Sequence, residues 1–188
     1  MTTVAIVYHS GYGHTAKQAE AVARGAEAAG ANALLIPVEK APESWDELAA
    51  ADAIVFGAPT YMGSASAPFK AFMDATSKLW YRQTWKDKIA AGFTNSASQN
   101  GDKLSTLVQM AVFAAQHSMI WVGLGLLPGN NSSKGSPEDL NRLGSYLGAM
   151  AQSNADAPPD IAPPAADLRT AEALGTRVAK AAKRWAGA

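Results

Sequence analysis

Cysteine is missing from this chain of 188 residues. Its absence excludes disulfides, thiolate metal sites, iron–sulfur clusters and cysteine nucleophiles, and it makes a reducing cytoplasm the expected location. Charged residues of either sign are also scarce and make up only 17% of the chain. The net charge is zero, since 16 basic residues balance 16 acidic ones. Proteins that bind nucleic acid usually carry a basic excess. The composition therefore argues against a nucleic-acid partner.

Long hydrophobic runs are missing as well, although 48% of the residues are apolar. No run reaches the roughly 18 residues that a membrane helix needs, so we expect no insertion into a membrane. The first residues lead into an apolar segment without a basic stretch, and we therefore expect no signal peptide. The length fits a single domain over residues 1–188. The high apolar fraction indicates an extensive core and a subunit interface.

The chain does contain a regular alternation of strand-like and helix-like segments. The strand-like segments are 4–8, 33–38, 53–57, 88–93, 119–126 and 144–152. The segments with helical spacing of apolar residues are 15–30, 44–48, 66–79, 102–118 and 167–186. In the helix over 102–118, four residues are expected to face the core: Leu104, Leu107, Val108 and Ala111. Apolar strands that alternate with helices predict a parallel sheet covered on both faces.

Ligands bind such a sheet at the carboxyl ends of its strands. We therefore expect the binding site in the loops that follow the first, third, fourth and fifth strands, which are 9–15, 58–64, 94–102 and 127–136. The first of these loops is rich in small and hydroxyl residues: Ser10, Gly11, Tyr12, Gly13, His14 and Thr15. Converging N–H groups, two hydroxyls and the positive end of the following helix suit a phosphate group.

The residues of this loop also indicate which kind of phosphate-containing ligand it could bind. Gly-Lys-Ser/Thr is lacking, so the loop is not that of a nucleoside-triphosphate site. Gly11 and Gly13 begin a dinucleotide fingerprint, but Ala16 stands where the last glycine would be. Alanine is sometimes allowed there, so a dinucleotide site stays open as a weaker interpretation. An ordinary glycine turn between a strand and a helix is the other alternative.

The loop resembles the Ser/Thr-x-x-Gly-x-Thr phosphate loop of flavodoxin-like proteins. Over residues 8–15 it is more closely similar to the WrbA-type NAD(P)H:quinone oxidoreductases. The likeness continues in that family's order at 56–63, 69–74, 79–80 and 116–119, and so covers residues 4–127. The resemblance implies a flavodoxin-like three-layer sandwich, with a five-stranded parallel sheet of order 2-1-3-4-5 and helices on both faces.

The same resemblance implies a cofactor and a reaction. FMN would be bound without a covalent link, with NADH or NADPH as the electron donor. A hydride would pass through flavin N5 to a quinone-like acceptor in two alternating half-reactions, and FMN would supply the redox chemistry. We therefore expect no acid/base triad. No spacing of His, Asp and Glu suggests a metal site.

The resemblance implies that two further loops contact the flavin ring. After the third strand, the family places five residues beside the isoalloxazine: Pro59, Thr60, Tyr61, Met62 and Gly63. After the fourth strand, the expected contacts on the pyrimidine side are Thr94, Asn95, Ser96 and Gly101. The alternatives are a tight turn with Tyr61 packed on the protein, and a solvated polar loop.

Three side chains are expected to take part in catalysis: His117, Trp80 and Tyr12. The family places a histidine that matches His117 at the flavin, contributed in the oligomer, where it would hydrogen-bond the ring or donate a proton to a quinone oxygen. A histidine at a helix C-terminus can otherwise be only a favourable charge near the dipole. Trp80 and Tyr12 would lie at the open face of the flavin. For His14 we expect contact through its backbone N–H.

Two segments depart from the family's pattern. Residues 38–44 form a short connection where the family has a long insertion, and 128–135 are small and polar where the family has aromatics. We expect a homodimer or homotetramer, and the short connection leaves that choice open. The alternative functions are a flavodoxin-type electron carrier, a regulatory FMN-binding protein with little turnover, and, less favoured, a dinucleotide-binding dehydrogenase. Flavodoxins are usually strongly acidic, and this chain is not.

Overall fold

Residues 1–187, which a computed structural model describes, alternate between strands and helices. The elements are β1 (Thr3–Tyr8), α1 (His14–Ala28), β2 (Asn32–Pro37), a 3₁₀ helix (Val38–Glu43), α2 (Trp45–Ala50), β3 (Ala53–Tyr61), β4 (Ser64–Ala65), α3 (Ala67–Ala75), α4 (Ser77–Tyr81), β5 (Ile89–Ser96), α5 (Lys103–Gln116), β6 (Ile120–Trp121), β7 (Ala149–Gln152) and α6 (Ala165–Trp185). The single helix predicted over 66–79 is two helices. The break lies at Thr76, whose hydroxyl donates to the carbonyl of Met73 at 2.7 Å.

The main sheet is parallel and has the order β2-β1-β3-β5-β6. β1 lies between β2 and β3, with Ile6 opposite Leu35 on one side and Val55 on the other. β3 then pairs with β5, with Val55 opposite Ala91. The central strands are buried almost throughout, as parallel strands covered by helices must be. The expected class of fold and the order of its strand positions are confirmed.

The fifth position of the sheet is filled by two short strands. β6 pairs with the beginning of β5, where Ile120 lies opposite Ile89, and β7 pairs with its end, where Gln152 lies opposite Ser96. With the antiparallel strand β4 beside β3, the sheet has seven strands where five were expected. The strand predicted over 119–126 therefore ends early. The strand predicted over 144–152 completes the same sheet position.

Two glycines lie in the interruption of this edge strand. Gly125, four residues after the end of β6, has φ +70, a conformation that extended backbone does not adopt, so the strand cannot resume there. Gly148 lies where the chain returns, and a Cβ at this position would lie 2.2 Å from the carbonyl oxygen of Gly92 in β5. The absence of a side chain thus lets β7 approach the sheet.

Helices cover both faces of the sheet. α1 and α6 pack on one face, and α2, α3 and α5 pack on the other. An ion pair of 2.9 Å joins Arg24 of α1 to Glu172 of α6. α6 spans 21 residues and is basic in its last turn. Among residues 1–187, no helix combines the length and the apolarity that crossing a membrane would require.

The expected inward face of α5 is only partly correct. Leu107 is buried, but Leu104 is 57% exposed and Val108 is 45% exposed. The buried residues of α5 are Lys103, Thr106, Leu107, Met110, Phe113 and Ala114. Apolar residues lie on two sides of this helix, so periodicity alone could not say which side meets the sheet. The outer side leaves an exposed apolar row of Leu104, Val108 and Val112.

Candidate functional site

A cleft of about 870 Å³ lies at the carboxyl edge of the sheet. It is lined by Tyr12, His14, Thr15, Pro59, Thr60, Tyr61, Met62, Gly63, Asn95, Ser96, Ala97, Ser98, Gly101, Ser153 and 155–159. Three of the four loops expected there do converge. The loop 127–136 does not contribute and is replaced by 153–159, because the fifth sheet position ends at Gln152 of β7.

The first loop forms a cradle of backbone N–H groups at the start of α1, named the anion cradle because an anion is predicted to bind there. Gly13 has φ +90 and immediately precedes the helix, whose first turn carries no acidic side chain. The Ser10 hydroxyl accepts the backbone N–H of Ala16 at 3.0 Å, which holds the loop in place. The other N–H groups of a first helical turn lack partners within the helix and favour negative charge. This loop has the donors that a phosphate needs, without any lysine or arginine.

The segment 153–159 packs against the cradle, and sequence reasoning missed it. His14 donates its Nε2 proton to the carbonyl oxygen of Ala157 at 2.8 Å. A Cβ on Gly13 would lie 2.8 Å from Pro159, so the two loops are in close contact. Pro158-Pro159 marks the segment in the sequence, but two adjacent prolines indicate only a stiff stretch of backbone and no ligand. The side chain of His14 therefore joins two loops, and a ligand contact through its backbone N–H stays a prediction.

The turn after β3 forms an aromatic wall of the cleft. Met62 and Gly63 both have positive φ and reverse the chain between β3 and β4. The ring of Tyr61 lies edge-on to that of Tyr12, with their centroids 6.4 Å apart. Burial, with a smaller contribution from Tyr12, raises the pKa of Tyr61. Tyr12 is 76% exposed, so its ring is available to a flat ligand.

Three threonine hydroxyls lie together behind the cleft. Thr60 shares hydrogen bonds of 2.8 Å with both Thr94 and Thr106. Thr94 is fully buried, because β5 extends past it to Ser96. Its side chain lies behind the wall, where it fixes Thr60, which lines the cleft.

The wall after β5 is held by a lysine that sequence reasoning missed. Lys103 is fully buried, and its ammonium donates to Ser96 Oγ at 2.8 Å and to the carbonyl oxygens of Ser98 and Gln99 at 2.7 and 2.8 Å. Burial lowers the pKa of Lys103 to about 8, with a small opposing effect of Asp167. No sequence signal distinguishes this lysine from a surface one, since its acceptors are mostly backbone carbonyls.

A second buried polar network joins this wall to the segment 153–159. Arg142 forks onto Asp167 with distances of 2.7 and 2.8 Å. Asp167 also accepts the backbone N–H of Gln152 at 2.9 Å, and the Gln152 side chain donates to the carbonyl of Ala97 at 3.0 Å. Asn95 accepts the hydroxyl of Ser153 at 3.0 Å. The two loops are therefore fixed to each other.

Two of the expected catalytic residues lie outside the cleft of their own chain. His117 and Trp80 line a separate groove of about 630 Å³ between α3, α4 and α5. Trp80 is 44% exposed, whereas His117 is 1% exposed. Of the three, only Tyr12 lines the cleft. A place for His117 or Trp80 at the cleft of a neighbouring copy remains a prediction.

The surroundings of His117 favour its neutral form. Its ring lies 4.5 Å from that of Trp85 and 4.8 Å from that of Phe113. Nε2 donates to the hydroxyl oxygen of Thr76 at 2.9 Å, and Nδ1 has no partner within residues 1–187. Burial lowers the pKa of His117 to about 4. A histidine in this state packs the helices together and is a poor proton donor at neutral pH.

The residues of the cleft fit FMN. The cradle at Ser10 to Thr15 offers N–H groups to a phosphate, and the Tyr12–Tyr61 wall offers aromatic surface to a planar ring. The opposite wall, 95–101, offers backbone groups and hydroxyls to the polar edge of such a ring.

Comparison with known proteins agrees with this geometry. The family described as NADPH-dependent FMN reductase matches residues 37–132. The chain is 47% identical over 184 residues to flavodoxin FldP from Pseudomonas aeruginosa, with 96% of each chain covered. It is 34% identical over 207 residues to an NAD(P)H dehydrogenase (quinone) from Archaeoglobus fulgidus, with 98% of this chain and 99% of the other covered.

A solved structure is similar over nearly the whole chain. It is that of a flavodoxin, WrbA-like protein from Agrobacterium tumefaciens, with 42% identity and a TM-score of 0.78. The likeness covers 98% of this chain and 99% of that one. These full-length matches include the cradle at residues 10–15 and the segment 153–159, which the family match over 37–132 leaves out.

Proposed function

Since the chain belongs to the NADPH-dependent FMN reductase family, we propose that its cleft binds FMN and that it passes hydride from NADH or NADPH to a quinone or similar acceptor. FMN would supply the redox chemistry by accepting the hydride at N5 and releasing it in a second, alternating half-reaction. The lack of cysteine supports a cytoplasmic location.

The observation that carries this proposal is the convergence of three loops on one cleft. The cradle at 10–15 would bind the phosphate by backbone N–H groups, the Ser10 and Thr15 hydroxyls and the positive end of α1. A phosphate bound there would leave the rest of the molecule to extend between the Tyr61 turn and the wall at 95–101.

The remaining cleft residues would orient the ring and exclude water. Pro59 to Gly63 would contact one edge through backbone, with Tyr12 and Tyr61 against an apolar surface. Asn95, Ser96 and Gly101 would meet the polar side. Their positions are fixed by Lys103 and by the bond between Asn95 and Ser153, so the site is organised before the cofactor arrives.

An electron carrier is the second candidate, and the name of the flavodoxin FldP relative favours it. Two features of this chain favour the enzyme. Its net charge is zero, whereas carriers that dock on basic partners are usually acidic. The wall at 95–101 contains no aromatic residue, so on that side no side chain would cover a flavin against a hydride donor.

Anaerobic stopped-flow absorbance tests the proposal. The protein is loaded with FMN, mixed with NADH or NADPH and then with benzoquinone. Rapid bleaching of the flavin followed by rapid recovery on quinone is expected, and parallel lines in double-reciprocal steady-state plots would indicate alternating half-reactions. FMN that binds but stays oxidised would support a carrier or a regulatory protein. Failure to bind FMN would overturn the proposal.

We also propose that a second copy of the chain covers the groove that contains Trp80, as a homodimer or as part of a homotetramer. The apolar row of Leu104, Val108 and Val112 beside this groove supports it. Val112→Asp should then shift sedimentation to the monomer, whereas Ser133→Asp on an exposed loop should not. A wild-type monomer at micromolar concentration would contradict this part of the proposal.

A further inference from the structure

The position of Lys103 is unfavourable for a cation in two respects. Its side chain is fully buried, and it is the first residue of α5, where the helix dipole opposes positive charge. Burying a charge is costly unless hydrogen bonds compensate for the lost water. Three oxygen acceptors provide that compensation, at 2.7 to 2.8 Å. These hydrogen bonds keep a cation inside the protein at the start of α5.

The charge of Lys103 is not cancelled by a direct partner. Its three acceptors are a hydroxyl and two carbonyls, and within residues 1–187 no carboxylate forms a salt bridge with it. The acidic group that affects it most is Asp167, whose carboxylate is already forked by Arg142. The buried cluster of Lys103, Arg142 and Asp167 therefore has a net charge of +1. A pKa of about 8 keeps most Lys103 side chains charged at pH 7.

This charge lies directly behind a wall of the cleft. Ser96 and Ser98, which accept from the ammonium, also line the cleft. In a trans peptide the N–H of the next residue points opposite to the carbonyl. Because the carbonyls of Ser98 and Gln99 turn toward Lys103, the N–H groups that follow them point away from it. The hydrogen bonds of Lys103 thus fix the direction of the wall's backbone, and its positive charge lies behind that backbone.

We propose that Lys103 is a positioning residue that orders the wall at 96–101 and stabilises negative charge gained by a cofactor in the cleft. The inference rests on the proposed function. A hydride from a nicotinamide donor carries two electrons and one proton, so its acceptor gains one negative charge while the donor leaves as its oxidised cation. A buried cation a few ångströms behind the wall, poorly screened by solvent, favours that gain.

The experiment compares Lys103→Gln, Lys103→Met and Lys103→Arg with the wild type. The control is Lys86→Gln, which removes an exposed lysine before β5 at the opposite edge of the sheet. Three quantities are measured: hydrogen exchange of residues 96–101 in the protein without cofactor, the dissociation constant of oxidised FMN, and the midpoint potential of bound FMN. The midpoint potential, compared with that of free FMN, gives the affinity for reduced FMN relative to oxidised FMN, and the dissociation constant then gives the affinity for reduced FMN itself.

We expect both neutral variants to lower that affinity ratio at least tenfold, a change of about 30 mV for two electrons. Hydrogen exchange in 96–101 should rise, most in Lys103→Met. Lys103→Arg should stay within threefold of the wild-type ratio, and Lys86→Gln should not change it. A neutral variant that folds and keeps the wild-type ratio would overturn the electrostatic role, even if exchange rises. Unchanged exchange would overturn the ordering role.

The affinities of the wild-type protein for reduced and oxidised FMN test the inference without any variant. It should bind reduced FMN at least as tightly as oxidised FMN, and a tenfold preference for oxidised FMN would contradict the inference. A wild type that binds neither state would instead overturn the proposed function. Hydrogen exchange without cofactor would still test whether Lys103 orders the wall.

Discussion

The cleft and the groove are two concave regions of this molecule that are built in different ways. The cleft is made of loops at strand ends, so its surface consists largely of backbone and small side chains. Buried polar residues such as Lys103 and Asp167 hold it from behind. The groove is made of helix faces, with apolar side chains at its surface and the neutral His117 beneath. The backbone donors of the first support the proposed cofactor, and the apolar side chains of the second support the proposed contact with another copy of the chain.

The largest expected effect concerns the anion cradle. Thr15→Glu places a carboxylate where the phosphate should bind, and like charges about 4 Å apart at a partly solvated site repel by about 4 kcal/mol. We expect FMN affinity to fall about 1000-fold, measured by fluorescence titration. Ser133→Glu adds the same charge on an exposed loop and should leave the affinity unchanged. An unchanged affinity in a folded Thr15→Glu protein would disprove the phosphate assignment.

The next effect concerns the groove and depends on pH. The folded pKa of His117 is about 4 against an ordinary 6.5, so the unfolded chain takes up a proton at a pH where the folded protein does not. The stabilising effect of the neutral ring is therefore complete above pH 6.5 and declines as the pH falls toward 4. The loss should approach about 3 kcal/mol.

Urea denaturation at several pH values measures this effect. His117→Gln cannot titrate, and its amide retains a donor for Thr76. This variant should lose much less stability than the wild type between pH 6.5 and 4. Equal pH dependence in the two proteins would show that the groove does not hold a neutral His117.

The smallest effect returns to the cleft. Gly13 and Gly63 both have positive φ, but a Cβ on Gly13 would lie 2.8 Å from Pro159, whereas nothing lies within 4 Å of one on Gly63. Gly63→Ala should cost only the backbone strain, about 1 kcal/mol. Gly13→Ala should cost about 1 kcal/mol more, because Pro159 must move. Thermal denaturation gives both values, and equal costs would mean that 153–159 does not pack on the cradle.

Sequence reasoning placed loops at the cleft correctly where the pattern is local. The residues from Ser10 to Thr15 are adjacent in the chain, and a strand–glycine–helix junction can form only a few structures. The turn at Pro59 to Gly63 is local in the same way. The parallel sheet followed from apolar strands alternating with helices, and its order followed from the resemblance to flavodoxin-like proteins.

Sequence reasoning failed where a residue's role depends on distant partners. The loop 127–136 was expected at the cleft because it follows the strand predicted over 119–126. Pairing with β5 shows instead that the position is completed by β7. The hydroxyl of Thr94 bonds to Thr60 behind the wall, which the sequence did not indicate, and a contact of Thr94 with a flavin stays a prediction. Neither the pairing of β7 with β5 nor the bond between Thr60 and Thr94 can be predicted from neighbouring residues in the sequence.

The sequence by itself thus determined the fold class, the family and the strand–glycine–helix junction at 10–15, since these depend on short motifs and on the periodicity of apolar residues. The tertiary structure alone decided which loop closes the cleft, which side of α5 is buried and where Lys103 and His117 lie. These outcomes depend on packing and on hydrogen bonds between residues far apart in the chain, such as His14 with Ala157. The energy of such contacts comes from burial and geometry, which residue type and spacing do not specify.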